Sequence, residues 1–136
     1  MKKRLLLFVF TIVLLASCSP AASTDIGQPG YENISVATLE TMINERRDTF
    51  LLVNTHIPFA GDIPGTDLSI PYNEILGNLD LLPADKDAEI VLYCRSDSMS
   101  HAAAEDLAEA GYTNVKNLVG GFNAWKDAGL PMDMEP

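Results

Sequence analysis

Two hydrophobic periods alternate along this chain. Behind Ser35, Val36, Leu39 and Ile43 fall at helical spacing, with Glu40, Asn44 and Arg47 on the other faces; this predicts a helix with Ser35 as its N-cap. Phe50-Leu51-Leu52-Val53 is a short apolar run closed by Asn54 and Thr55, and it reads as a buried strand. Pro58, Gly61, Pro64 and Gly65 mark a loop, Leu68-Ser69-Ile70 offers another strand, and a short helix follows Pro71 around Asn73 to Leu79. After a polar turn at Pro83 to Asp87, Ile90-Val91-Leu92-Tyr93 is apolar on both faces, as in a parallel sheet covered on both sides.

The next segment has the clearest helical period. Ser100, Ala103, Ala104, Leu107, Ala108 and Gly111 share one face, and His101, Glu105, Asp106 and Glu109 the other; Gly111 supplies the stop. Val115 to Val119 reads as a strand, and Gly120-Gly121 turns into a last helix carrying Phe122, Ala124 and Trp125, ended by Gly129 and Pro131. Strand–helix alternation over about 100 residues predicts an α/β domain with a mostly parallel central sheet flanked by helices. Phe122 and Trp125 are expected in its core.

The N-terminus follows neither period. Lys2, Lys3 and Arg4 precede an apolar run from Leu5 to Leu15 that is too short to span a bilayer and suits a secretory signal. Leu15-Ala16-Ser17-Cys18 then resembles the lipobox of bacterial lipoproteins, which implies cleavage before Cys18 and a lipidated Cys18 holding the protein to a membrane of the cell envelope, outside the cytoplasm. Residues 1–17 are thus expected to be a signal peptide, 18–30 a lipidated cysteine and a Ser/Ala/Pro/Gly-rich tether, and 31–136 the folded domain.

The chain has 136 residues, 47% apolar and 21% charged, which suits one globular domain. Its net charge is −10, and loss of the leader would remove three of nine cations and none of nineteen acids. Such a balance excludes a phosphate-backbone binder, and it leaves membrane attachment to the lipid. Two cysteines are too few for a disulfide framework or a cysteine-rich zinc site.

With Cys18 committed to lipid, Cys94 is the remaining thiol. It stands where the best strand meets the best helix, followed by the polar loop Arg95-Ser96-Asp97-Ser98-Met99. Backbone N–H groups of a loop wrapping a helix N-terminus favour an anion, so a cysteine there ionises readily and becomes a nucleophile. A buried, inert strand-end cysteine explains the local pattern equally well.

Val91-Leu92-Tyr93-Cys94-Arg95-Ser96 resembles the active-site strand and loop of rhodanese-like sulfurtransferases. Gly111-Tyr112, Val115 to Leu118, Gly120-Gly121-Phe122 and Ala124-Trp125 are similar to that family's C-terminal half, and Gly61-Asp62-Ile63-Pro64-Gly65-Thr66 with Ile70-Pro71 to its Gly-His-Ile-Pro-Gly-Ala segment. The resemblance, from about Ser35 to Pro131, implies a three-layer rhodanese-like domain. It further implies that Cys94 takes sulfane sulfur from a small donor such as thiosulfate or polysulfide, holds it as a persulfide, and passes it to a thiol or cyanide-like acceptor. Arg95, Ser96, Asp97, Ser98, Met99 and Ser100 would form the substrate cradle, with no metal and no cofactor.

The family loop often reads Cys-x-x-Gly-x-Arg-Ser; here Asp97 stands at the Gly, Met99 at the Arg, and Ser100 matches. Asp97 is expected to set a carboxylate beside the anion site unless its side chain turns outward, and Arg95 is the loop's one cation. Asn54 and His56 replace a frequent Asp-x-Arg pair, and Asp62 the usual His. For His56 the simpler expectation is a loop imidazole bonded to a backbone carbonyl; the other is contact with substrate. His101 and the acidic residues Asp80, Asp85, Asp87 and Glu89 are expected to be solvated. Two other readings compete with sulfur transfer: a silent rhodanese-fold binding module, and a Cys-based phosphatase or arsenate reductase. The last needs an Arg six residues after the cysteine to clamp its oxyanion, where this chain has Ser100.

Overall fold

The computed structural model describes residues 30–135. The leader, Cys18 and the tether up to residue 29 lie outside them. Strand β1 (Tyr31–Ile34) leads into helix α1 (Val36–Arg46), then β2 (Leu51–Asn54), β3 (Leu68–Ser69) and a 3-10 segment (Tyr72–Leu81). β4 (Ile90–Tyr93), α2 (Ser98–Glu109), β5 (Val115–Leu118) and α3 (Gly121–Asp127) complete the chain.

The five strands form one sheet in the order β1-β5-β4-β2-β3, every pair parallel. Parallel neighbours need crossovers, and the helices that provide them cover both faces. β4 lies at the centre, and its side chains alternate between two cores. Val91 and Tyr93 pack with Leu39, Met42, Leu118, Phe122 and Trp125 under α1 and α3. Ile90 and Leu92 pack with Ala103, Ala104, Leu107 and Val115 under α2, where the 3-10 segment adds Ile75. All four β4 residues are buried, which is why that stretch shows no period of two.

Local chemistry accounts for the boundaries. Ser35 Oγ accepts from the Thr38 amide at 3.2 Å, capping α1 as expected. Helix α2 begins at Ser98, earlier than the apolar period shows, because Asp97 adopts φ 130° and turns the chain into the helix at once. The Asn73–Leu79 helix is part of the longer 3-10 segment, with a non-helical kink at Asn78. β1 was not expected as a strand. It is an edge strand hydrogen-bonded only to β5, and only Ile34 of its four residues is buried, so its sequence carries no period.

Candidate functional site: a cysteine beneath a ring of amides

The C-terminal ends of β2, β4 and β5 converge on Cys94, the place where open α/β sheets put their ligands. Main-chain bonds from both sides fix the loop that follows it. Thr55 donates its N–H to the Tyr93 carbonyl at 2.8 Å, Phe122 to that of Cys94 at 2.9 Å, and Asn123 to that of Arg95 at 3.0 Å. Three successive carbonyls are thereby held toward β2 and α3, and the amides beyond them turn to the sulfur. The Phe122 and Asn123 bonds demand a close approach by Gly121, whose φ is +56°. A Cβ there would lie 2.2 Å from the Cys94 carbonyl oxygen and 2.7 Å from the Arg95 carbonyl carbon.

The sulfur receives what the loop directs at it. The Asp97 amide lies 3.1 Å from Cys94 Sγ, and the Ser100 hydroxyl 3.4 Å away. Cys94 is 1% exposed, and burial alone would push its thiol up. Hydrogen bonds from the Ser100 hydroxyl and from the Ser100, Asp97 and Ser96 amides outweigh burial and hold the thiol below its ordinary value. Ser100 is fully buried, and Met99 and Asp97 are half-buried; Arg95, Ser96 and Ser98 are exposed. Ser96, Asp97 and Ser100 are thus brought to the sulfur, Ser96 through its backbone.

Asp97 does not behave as its charge suggested. Its Oδ1 accepts from Asn117 Nδ2 at 2.8 Å, and Asn117 is a fully buried residue of β5. The carboxylate turns in toward the sheet, neither into the sulfur cradle nor outward, and what Asp97 gives the sulfur is its N–H. The turn holds a non-glycine residue at φ 130°, a conformation that costs such a residue on the order of 1–3 kcal/mol.

Beside the cradle, the changed residues at the end of β2 form a closed network. Asp62 Oδ1 accepts from Asn54 Nδ2 at 2.7 Å and from the Tyr93 hydroxyl at 3.0 Å, while Asn54 Oδ1 accepts from the His56 amide at 2.9 Å. Tyr93 also receives the Ile63 amide at 3.0 Å and bonds Thr66 Oγ1 at 2.6 Å. Burial, opposed by the Thr66 and Ile63 bonds and aided by the Asp62 carboxylate, keeps its phenol protonated far above neutral pH.

The histidines need correction. His56 Nδ1 is buried without a hydrogen-bond partner among the described residues, so it does not bond a backbone carbonyl; the ring stands edge-on to Phe122 with centroids 5.4 Å apart. Burial, then the Arg95 charge, lowers its pKa, so it is neutral at pH 7. His101 is not simply solvated: Nδ1 lies 2.7 Å from the Tyr31 hydroxyl, a contact that needs β1 in place. Glu89 also departs from expectation, pairing with Arg46 and Lys116. Asn117 escaped the sequence reading altogether. Its signal was an amide at an inward position of a strand between Val115 and Leu118.

Comparison with known proteins agrees with this geometry. The family model for the rhodanese-like domain matches residues 39–128. A Synechocystis protein described as uncharacterized is 33% identical over 73% of this chain and 55% of its own length, so the chain spans about half of that relative. An Allochromatium vinosum protein named sulfurtransferase is 39% identical over 60% of this chain and 77% of its own. Thiosulfate sulfurtransferase 18 of Arabidopsis thaliana is 31% identical over 79% and 76%. Among solved structures, a rhodanese-related protein of Thermoplasma volcanium superposes with a TM-score of 0.65 at 25% identity, covering 77% of this chain and all of that one. A Rhodopseudomonas palustris protein, described as a possible tyrosine phosphatase, superposes at 0.66 and 25%, covering 76% and 85%. Four of the five strands, Cys94 and the loop that follows it lie within the matched residues, and the chain belongs to the rhodanese-like domain family.

Proposed function

We propose that this chain is a sulfurtransferase that carries sulfane sulfur as a persulfide on Cys94. The observation that carries the reading is the convergence of the Asp97 amide and the Ser100 hydroxyl on Sγ, which favours the thiolate despite burial. With thiosulfate, the Cys94 thiolate attacks the sulfane sulfur, a new S–S bond forms, and the old one breaks with its electron pair leaving on sulfite. The outer persulfide sulfur carries the negative charge, which the loop amides stabilise. Cyanide or a thiolate then attacks that outer sulfur. The S–S bond to Cys94 breaks, thiocyanate or a new persulfide departs, and the Cys94 thiolate returns. Names of relatives that include sulfurtransferase and thiosulfate sulfurtransferase support the reaction class.

Near-complete burial of Cys94 favours a second reading, a rhodanese fold kept as a binding module. Cyanide-dependent thiocyanate release separates the two, run on the domain with thiosulfate and with polysulfide. Sulfur transfer predicts turnover with at least one donor, and a mass gain of one sulfur on Cys94 in the absence of acceptor. A thiol that gains no sulfur from either donor refutes this reaction and favours the binding module. The phosphatase reading has Ser100 where its oxyanion clamp needs Arg.

We also propose that the chain works at a bacterial cell envelope, held to a membrane through lipidated Cys18. The Leu15-Ala16-Ser17-Cys18 sequence supports this reading. Cys18→Ala abolishes metabolic palmitate labelling if it is right; unchanged labelling refutes it.

A further inference from the structure

We propose that Asn117 is a positioning residue for the Cys94 nucleophile: through its bond to Asp97 it holds a non-glycine residue in the left-handed turn that aims the residue-97 amide at the sulfur. The proposal rests on the reading of Cys94 as the nucleophile and adds a residue from a different strand to its machinery.

Three observations lead to it. The first is the backbone of Asp97. At φ 130° and ψ −47° it is the only non-glycine residue with positive φ among those described. An L side chain resists that conformation, and a glycine would adopt it freely. Something in the fold must therefore hold it. The Asp97 side chain gives no help by capping α2, since it makes no cap bond to the helix.

The second is the bonding of Asn117. One Nδ2 proton goes to Asp97 Oδ1 at 2.8 Å, and Nδ2 also lies 2.9 Å from Asn33 Oδ1 on β1. Two oxygen acceptors on the same atom fix the amide's orientation, because flipping it would turn its oxygen toward the Asp97 carboxylate. β1 and β5 thus both brace the turn. The register places Asn33 directly beside Asn117, so the brace is an extension of the ladder between the two strands.

The third is the penalty Asn117 carries. It is fully buried beside the core residues Leu92 and Leu118, and its Oδ1 is buried with no hydrogen-bond partner among the described residues. A buried acceptor left unsatisfied lowers stability, and a Leu of similar shape would not incur that loss. An amide at this position is poor material for a core and good material for holding a carboxylate. The arrangement also answers how a loop with Asp97 in place of glycine still closes over Cys94. The carboxylate that threatened the anion site is instead the handle by which β5 grips the turn.

The test is a cycle of variants read by the pH dependence of Cys94 alkylation with iodoacetamide, with thermal unfolding measured alongside. Asn117→Leu removes the donor and the orphaned acceptor together. The expected result is alkylation at pH 7 slowed roughly three- to tenfold, with its midpoint moved to higher pH, while thermal stability is kept or raised. In the Asp97→Gly background the same Asn117→Leu change is expected to leave alkylation where Asp97→Gly alone puts it, since glycine needs no handle. Equal slowing in both backgrounds, or slowing in neither, overturns the proposal. Asp97→Ala against Asp97→Asn tests the same point without altering the core: Asn keeps the acceptor, Ala loses it, and Ala should be the slower. Equal rates for the two refute the positioning role even if Asn117→Leu fails to fold. Alkylation reads the thiolate directly, so a chain that follows this cycle yet releases no thiocyanate would lose the proposed reaction and keep the positioning residue.

Discussion

The two ends of the parallel sheet handle charge in opposite ways. At the N-terminal end, Arg46 and Lys116 meet Glu89, Lys116 also meets Glu32, and Arg47 meets Asp67. A groove lined by Arg47, Asp67, Glu89, Phe50 and Pro83 opens there. At the C-terminal end the only cation of the cradle is the exposed Arg95, and the sulfur is surrounded by neutral N–H and O–H donors. The N-terminal end has the more cations, yet carboxylates already pair with them and its groove holds no cysteine. The cradle needs no net positive charge. Its donors are fixed by the backbone before any anion arrives, in a site where water cannot compete.

The largest expected difference between the ends is in chemistry. For the sulfur transfer proposed here, Cys94→Ser should cut turnover on the order of a thousandfold or more, leaving the fold intact by circular dichroism. Any variant at the ion-paired end that matched this loss would break the comparison.

Gly121→Ala comes next. It forces a methyl into the Cys94 carbonyl at the point where α3 grips the loop. Urea unfolding should show a loss of about 3 kcal/mol, the range for overpacking against rigid backbone. A loss below about 0.5 kcal/mol would mean that the grip on the loop is loose.

Ser100→Ala sharpens the account of the cradle. The hydroxyl favours the thiolate, so its loss should raise the Cys94 pKa, and alkylation at pH 7 should fall several-fold to about tenfold. A thiol held below its ordinary value is reactive from a lower pH upward, so losing a donor moves the rise to higher pH and leaves the high-pH plateau in place. An unmoved midpoint would assign the lowered pKa to the amides alone.

The smallest effect belongs to the other end. The hydrogen bond from Arg46 holds the Glu89 carboxyl below its ordinary value despite burial. Glu89→Gln should cost about 1 kcal/mol at neutral pH, and part of that should vanish in high salt. A depressed carboxyl stabilises the fold above its unfolded value of about 4.3. The parent's advantage should therefore shrink as pH falls below that value toward the folded one, as urea midpoints at several pH values would show. Cys94 alkylation should not change.

Much of this was legible in the chain. Ile90 to Tyr93 is buried on both faces whatever surrounds it, because a parallel sheet needs helices on both sides, and its lack of a period of two said so. Ser35 capped its helix through a bond three residues away, and Gly120-Gly121 marked the close turn into α3. Such features depend on neighbours in sequence, so composition and spacing determine them. The strand–loop–helix setting of Cys94 belongs with them.

What only the tertiary structure decided is where polar side chains find their partners. The Asp97 carboxylate accepts a hydrogen bond from an amide 20 residues downstream, His101 meets Tyr31 70 residues upstream, and the Asp62 carboxylate is shared by Asn54 and Tyr93. From the sequence Asp97 was an obstacle in an anion site; folded, its charge serves β5 and its backbone serves the sulfur. β1 escaped for the same reason, since an edge strand is defined by the ladder it joins and not by a period of its own. Burial of an apolar residue is a property its near neighbours reveal, but a hydrogen bond needs a particular atom in a particular place, and only the packed sheet brings Asn117 under Asp97.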